Sequence, residues 1–395
     1  MTRRRVLIIV ENLPVPFDRR VWQEATTLHD AGYAVSIICP KGEGARKGFE
    51  VIDGIRVHRH PLPLEASGAL GYAVEYSAAL AFEFVLAWRV LLTVGFDAIH
   101  ACNPPDLIFL VGGFFKLFGK RFLFDHHDVN PELFESKFGH RGLLYRLMLA
   151  LERTTFRVAD VSIATNESFR KVALERGGMP ADRVFVVRSG PDLARVKQVP
   201  PDASLKRGRA HLVGYVGVMG NQDGLDLLLA AVRHIVHTRA RRDIQFALVG
   251  SGSELASLQS LAAELEVADY VTFTGRLWGT EMLTVLCTAD VCVNPDRVNA
   301  MNDKSTTNKV MEYMALGKPI VQFDTTEGRY SAQDASLYAR ANDPVDFADK
   351  ILELVDDPAR CRRMGELGER RVNETLQWRY EAPKLLAAYD KLFSA

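Results

Sequence analysis

Glu312 sits in the middle of a short helical pattern, Thr307-Asn308-Lys309-Val310-Met311-Glu312-Tyr313-Met314-Ala315, which stops at Gly317 and Pro319 against the apolar run 320–323. Val310, Met311, Met314 and Ala315 recur at helical spacing, the glycine closes the helix and the proline cannot extend it. A carboxylate on such a helix suits a diol. The N–H groups around Asn308 and Lys309 at its start suit phosphate, because they lack intrahelical partners and lie at the positive end of the helix dipole. A ligand that joins ribose hydroxyls to a diphosphate would satisfy both.

Three other clusters carry chemistry. Asp125-His126-His127-Asp128-Val129-Asn130-Pro131-Glu132 follows an apolar run directly. Neighbouring histidines point apart on an extended chain, so a metal chelate is not the expected use, and a self-capped turn is the plain alternative to a binding site. Gly217-Val218-Met219-Gly220-Asn221-Gln222-Asp223-Gly224 lies between a strand and a helix pattern, where glycines let a diphosphate approach the backbone. Arg19 and Arg20 open a helix capped by Asp18, after the long loop 12–18. Cations there oppose the helix dipole, so an anion is expected nearby.

The elements that must position these groups alternate along the chain. Strands are expected over 6–10, 35–39, 98–101, 122–125, 161–164 and 184–187, with helices over 19–31, from Pro105 and from Asn166. A polar, basic, proline-containing stretch over 195–209 reads as a linker and candidate hinge. Alternation then restarts with strands over 212–217, 246–249, 271–273, 291–293 and 320–321, and a last helix carries Leu385, Leu386, Tyr389 and Leu392. The fold class is α/β, with two doubly wound domains. Ligands of such sheets bind outside the carboxyl ends of the strands, where each cluster falls.

Length and composition agree. A chain of 395 residues exceeds one ordinary core, and 48% hydrophobic with 25% charged residues is usual for a globular protein. Lys+Arg and Asp+Glu are both 49, so nothing points to nucleic acid. The basic start Met1-Thr2-Arg3-Arg4-Arg5 and the short apolar run after it make a first strand rather than a secretion signal. Five cysteines lack paired or metal-ligand spacing, which fits a reducing cytoplasm. No stretch is apolar enough to span a bilayer. The segment 72–94, with Val74, Leu80, Phe84 and Val90 on one stripe and Glu75, Glu83 and Arg89 among them, reads as a packed amphipathic helix. Peripheral membrane contact stays open through Phe114-Phe115-Lys116-Leu117-Phe118-Gly119-Lys120-Arg121.

The order and register of these motifs, together with Val249-Gly250-Ser251-Gly252-Ser253-Glu254 and Phe273-Thr274-Gly275-Arg276, resemble the retaining glycosyltransferases of the GT-B fold, family 4, over essentially the whole chain. The resemblance implies two Rossmann-like domains facing a cleft: an acceptor domain over 1–195, a nucleotide-sugar domain over 196–375, and a helix over 376–395 crossing back to the first. It implies transfer of a sugar from a nucleotide-sugar donor to a saccharide or lipid-linked acceptor hydroxyl, without metal or other cofactor, in the cytoplasm or at the inner face of its membrane. By the same resemblance His127, Asp128 and Lys304 surround the reacting centre. Gly217, Gly220, Gly250, Arg276, Asn308, Lys309 and Glu312 hold the donor, and Arg19, Arg20 and Asn130 lie on the acceptor side.

This chain departs from the family pattern at three places. Lys304 stands where the family carries the first of two glutamates, the loop 12–18 lacks a Gly-Gly pair, and uncharged residues with Asp223 replace the Arg and Lys of the diphosphate loop. Lys304, Lys309 or Arg188 would then supply the missing cation. A sugar-nucleotide epimerase of the same shape and a non-catalytic nucleotide-sugar-binding subunit are the other readings.

Overall fold

The structure, a computed structural model, describes residues 3–61 and 68–394, with the side chains of 68–76 and of Lys137 left aside. Met1 and Thr2, and the side chains of Val74 and Glu75, lie outside the described residues. The chain forms two compact units, Met1–Ser189 with Arg379–Ala395, and Gly190–Trp378.

In the first unit the short apolar runs pair as an eight-stranded sheet. Its strands are β1 Arg5–Ile9, β2 Ala34–Pro40, β3 Phe49–Ile52, β4 Ile55–His60, β5 Ala98–Cys102, β6 Arg121–His126, β7 Val161–Ala164 and β8 Val184–Val186. They lie in the order β3-β4-β2-β1-β5-β6-β7-β8. All neighbours are parallel except the β3–β4 pair. Helices α1 Arg19–Asp30, α2 Gly68–Thr93, α3 Phe109–Lys116, α4 Asn130–Phe138, α5 Leu143–Val158 and α6 Glu167–Lys171 connect them. With both faces covered, β5 and β7 are buried at every position, which is why they read as unbroken apolar runs. Asp18 accepts from the Val21 amide at 3.0 Å and Asn166 from the Phe169 amide at 2.8 Å, so both caps expected from the sequence form.

The second unit carries β9 His211–Val216, β10 Ile244–Val249, β11 Val271–Gly275, β12 Val291–Asn294, β13 Ile320–Phe323 and β14 Ser336–Ala339, all parallel. Their order, β11-β10-β9-β12-β13-β14, is the doubly wound order of dinucleotide-binding sheets, so its switch point lies between β9 and β12. Helices α7 Leu225–Arg233, α8 Leu255–Glu264, α9 Gly279–Thr288, α10 Asn308–Ala315, α11 Thr326–Ala332, α12 Pro344–Val355 and α13 Pro358–Arg371 cover the two faces. One core packs Leu228, Phe246, Val293 and Phe347 together, and the other packs Leu212, Leu286, Tyr313 and Met314.

The last helix, α14 Trp378–Ser394, returns to the first unit, where Leu385, Tyr389 and Leu392 are buried. Tyr389 meets Tyr33 edge-on at 5.5 Å between ring centres.

The stretch 195–209 is not a free linker. Val196 is buried in the second unit's core, Gln198 donates to the Leu316 carbonyl at 2.6 Å, and the Asp202 amide donates to Thr288 Oγ1 at 2.8 Å. Its basic, proline-containing composition hides a few anchors that composition alone cannot reveal. The chain instead crosses between units at Ser189/Gly190 and again at Trp378/Arg379. The backbones of the two crossings touch: a Cβ on Gly190 would stand 2.5 Å from the Trp378 nitrogen and 2.7 Å from the Leu376 carbonyl oxygen. Only glycine fits there.

Candidate functional site

Each unit gathers functional groups at its own switch point. In the first unit, Arg20 leaves the first turn of α1 and lies buried against Asp125 at the end of β6. Its guanidinium donates to Asp125 Oδ1 at 2.9 Å and Oδ2 at 3.3 Å, to the Val187 carbonyl at 2.7 Å, and lies 3.1 Å from Glu24. The anion expected beside Arg20 is therefore the protein's own. Burial opposes the guanidinium's charge, but Asp125 and then Glu24 hold its pKa above the ordinary value. Burial would likewise push Asp125 up, yet Arg20 and then His127 hold its carboxyl well below the usual carboxylate range. Glu24 goes the other way: burial raises its carboxyl well above the usual range and Arg20 offsets only part of that.

Two histidines converge on the same carboxylate. His127 Nε2 sits in a short contact with Asp125 Oδ2 and lies 3.0 Å from Arg20 Nε. His100, on β5, places Nε2 3.4 Å from Asp125 Oδ2 and Nδ1 2.9 Å from the Tyr389 hydroxyl. Burial holds His100 below its usual pKa in spite of Asp125, so it is neutral at pH 7.

The turn after β6 is held by Asn103. Its Oδ1 accepts from the amides of His127 at 2.7 Å and Asp128 at 3.2 Å, while its Nδ2 donates to the Asp128 carbonyl at 2.7 Å and Asp106 Oδ1 at 2.9 Å. Asn130, at the start of α4, also hydrogen-bonds Asp106, whose carboxyl burial pushes up to about 6. Arg19 is exposed on the opening turn of α1, whereas Arg20 is buried. One turn into α4, Glu132 takes a two-pronged bond from Arg176 at 2.8 and 3.1 Å, and Arg176 also donates to the buried Glu152 at 2.7 Å.

In the second unit, the loops after β9, β10 and β12 meet. Gly217 lies at the end of β9, and a Cβ on it would come within 2.6 Å of the Tyr215 hydroxyl and 3.3 Å of Lys309 Nζ. Lys309, in the first turn of α10, is held by Asp296 at 2.8 Å, stands 3.8 Å from Asp223, and lies 4.7 Å from the centre of the Tyr215 ring. Burial acts against its charge, but Asp296 and Asp223 outweigh that and raise its pKa. Asp223 accepts from the Gly220 amide at 3.1 Å, and burial pushes its carboxyl up to about 6 against the pull of Lys309.

Gly250 follows β10 with φ +142°, its amide donating to the Gly275 carbonyl at 2.9 Å. Arg276 is exposed and donates through Nε to Ser251 Oγ at 2.6 Å. Asn308 is exposed at the start of α10, which lacks a side-chain cap, and Glu312 is buried one turn further on. Lys304 does not lie on that helix. It ends a turn ahead of it and donates to the Ala300 carbonyl at 2.9 Å.

The structure thus joins Gly217, Gly220 and Lys309 in one cluster, links Gly250 and Arg276 beside it, and joins Arg20, His127, Asp128 and Asn130 in the other unit. Several groups were not singled out by sequence. Asn103, Tyr389 and Asp296 act through contacts distant in the chain, which local pattern cannot show, whereas Glu24 pairs with Arg20 one turn away on α1. Trp278, 68% exposed just past Arg276, carried a local signal as a solvent-facing aromatic in a strand-to-helix turn.

Among the described residues, two groups of side chains have metal-ligand chemistry, His100 with Cys102 and Asp125, and Glu24 with Asp125 and His127, each with its ligand atoms within 4.8 Å of one another. Both depend on Asp125. Arg20 already occupies that carboxylate, and a divalent ion there would face a buried guanidinium.

Residues 18–190 match the family model described as glycosyl transferase 4-like domain, and residues 210–357 match the model described as glycosyl transferases group 1. The two units together define a GT-B glycosyltransferase, and the chain belongs to the group 1 glycosyltransferases. Among its relatives is the 2-deoxystreptamine glucosyltransferase of Streptomyces kanamyceticus, 23% identical over 86% of this chain and 88% of that one. Sucrose-phosphate synthase from Thermosynechococcus elongatus has the same fold, with a TM-score of 0.77 over 99% of this chain and 100% of that one at 21% identity. So does HepE of Anabaena in complex with UDP-glucose, with a TM-score of 0.73 over 99% and 100% at 14% identity.

Replacing Arg20 by methionine leaves Asp125 buried without its countercharge. The expected cost is about 3–5 kcal/mol of stability at pH 7, read as a lowered denaturant midpoint. A change below about 1 kcal/mol would mean that Asp125 is held by the histidines alone.

Proposed function

We propose that this glycosyltransferase takes its sugar from a nucleotide-sugar donor bound by the second unit and passes it, with retention of anomeric configuration, to an acceptor hydroxyl bound by the first. The observation that carries this reading is the placement of Lys309. A half-buried ammonium stands at the start of α10 and over the bare Cα of Gly217, at the switch point where doubly wound sheets receive phosphates. The fold shared with a UDP-glucose-bound protein of Anabaena supports the same donor class.

In this reading the diphosphate lies across the Gly217–Gly220 loop, Lys309 and the Asn308 amide. Glu312 takes the ribose hydroxyls, and Arg276 stands near the base. The bond between the anomeric carbon and the diphosphate oxygen breaks as the acceptor oxygen bonds to that carbon from the same face. The acceptor's proton passes to a phosphate oxygen, so the first unit supplies position rather than a base. Preorganised cations and N–H groups aimed at the departing charge contribute several kcal/mol to such a step. His127 and Asp128, fixed by Asp125 and Asn103, orient the acceptor, whether saccharide or lipid-linked.

No metal takes part in this mechanism, and we place the protein in a reducing cytoplasm, where its cysteines would stay thiols.

The reading is tested by screening nucleoside diphosphates and nucleotide sugars for thermal stabilisation, then measuring the selected donor by calorimetry and its transfer to acceptors by product analysis. Glu312→Ala is expected to weaken donor binding about 10–100-fold, the loss of charge-assisted hydrogen bonds to hydroxyls. Unchanged donor affinity would overturn the assignment of Glu312. Transfer is expected to persist in excess EDTA, and loss that added Mg²⁺ or Mn²⁺ restores would contradict the metal-free mechanism.

Asp223 adds a pH dependence. Its carboxyl in the folded protein titrates near 6, above the unfolded value of about 3.9, so the folded state holds the extra proton between those values. Stability therefore falls as pH rises from about 4 to 6, by on the order of 2–3 kcal/mol, and Asp223→Asn removes that fall. Below pH 6 the protonated side chain also stops competing for Lys309. The nucleotide sugar is expected to bind about 3–10-fold more tightly at pH 5.5 than at 7.5, and the Asn variant to bind tightly at both. An identical pH profile in the two proteins would dissociate Asp223 from the donor site.

A further inference from the structure

We infer that the outer face of the helix layer formed by α2, α3 and α5 docks on an anionic phospholipid bilayer. These helices lie side by side. Trp88 on α2 meets Phe114 and Phe118 at 5.9 and 5.5 Å between ring centres, and Lys116 at the end of α3 donates to the Val158 carbonyl at the end of α5 at 2.7 Å.

Large apolar side chains stand out from this layer into water. Val85 and Leu92 on α2 are 65% and 78% exposed, Leu117 just past α3 is 81% exposed, and Leu143 at the start of α5 is 83% exposed. Leu144 and Leu147, on the first two turns of α5, are 48% and 51% exposed. A monomer in water gains nothing by leaving leucines on successive turns of neighbouring helices uncovered.

The charge on these helices is one-sided. Arg89, Arg146, Arg153 and Arg157 are exposed, whereas the only acids among the described side chains of α2, α3 and α5 are Glu83 and Glu152, both fully buried. The guanidinium groups of Arg89, Arg146 and Arg157 take no acceptor among the described residues. A surface that combines protruding leucines with unpaired arginines calls for a partner that is negative at its surface and apolar beneath it. An anionic bilayer is both, with the leucines entering the acyl boundary and the arginines meeting headgroup phosphates. A second copy of this chain would bring the same arginines against these. Among the described residues no helix is long and apolar enough to cross a membrane, so the attachment is peripheral.

The layer is continuous in sequence with the acceptor-side turn, because the chain runs from His127 and Asn130 through α4 into the exposed start of α5. Under the function proposed above, this presents the acceptor half to a lipid-borne substrate. The membrane contact itself does not rest on that function.

The test is flotation of the full chain with vesicles of neutral phosphatidylcholine or of phosphatidylcholine with 30% phosphatidylglycerol, at low and high salt. We expect at least tenfold more protein bound to the anionic vesicles at low salt, most of it released at high salt. The triple variants L143S/L144S/L147S and R146E/R153E/R157E are each expected to lose most of that binding while keeping the thermal midpoint and nucleotide-sugar affinity of the parent. Absence of binding to anionic vesicles would overturn the inference, as would equal binding by the parent and both variants. So would a dimer in light scattering that either variant turns into a monomer, since the face would then belong to a second copy. Loss of donor binding in all three proteins would count against the proposed function and leave the vesicle result standing.

Discussion

A guanidinium withdrawn from water and set against one ionised carboxylate organises the first unit's site. Arg20 reaches Asp125 from the start of α1, and four further groups find their positions from that pair: Glu24 one turn along α1, His127 and His100 on the same carboxylate, and Tyr389 behind His100. Separately, few of these would be tolerated in a core. Burying an ion pair gains little net stability, but removing one partner leaves an uncompensated charge, so the cluster is held as a set. Its members come from α1, β5, β6 and α14. Docking of the last helix and placement of His127 are therefore coupled through one network.

The second unit solves a related problem with fewer groups. An ammonium drawn largely out of water needs a countercharge, and Asp296 and Asp223 supply it. Tyr215 lies beneath Lys309 and donates its hydroxyl to the Val218 carbonyl at 2.7 Å, fixing the Gly217 loop and the lysine's neighbour together. The glycines are then explained by space: Gly217 keeps the lysine head open to an incoming group, and Gly250 lets the next loop pack against the first.

Much of this architecture was legible in the residue order. Strands buried on both faces leave continuous apolar runs, and Asp18 and Asn166 announce helix starts because their side chains replace missing backbone partners. Other features were legible and went unread. Asp53-Gly54 is a strong two-residue hairpin signal, and with φ of +49° and +80° it turns β3 back on β4 as the antiparallel edge of the sheet. Val196 is one apolar residue in a polar stretch, and only the folded core shows that it anchors the stretch. The site divides in the same way. Glycines and Glu312 are marked by their elements, whereas Asn103, Asp296 and Tyr389 act across 24, 13 and 289 residues of chain, beyond the reach of any local pattern.

Asp223 is the instructive departure. An acid beside a phosphate site should oppose the ligand, and at long range it does. Locally it fixes the Gly220 amide and neutralises a lysine that burial would otherwise discharge. Under the proposed function, an incoming diphosphate would therefore replace an existing countercharge rather than meet a bare cation. That exchange lowers affinity for any single anion, because the carboxylate must be displaced or protonated first. On the same proposal it would penalise inorganic phosphate most, since that ion has no ribose to offer Glu312. Selectivity for a whole nucleotide sugar over its charged fragment then follows from the same carboxylate that weakens the charge.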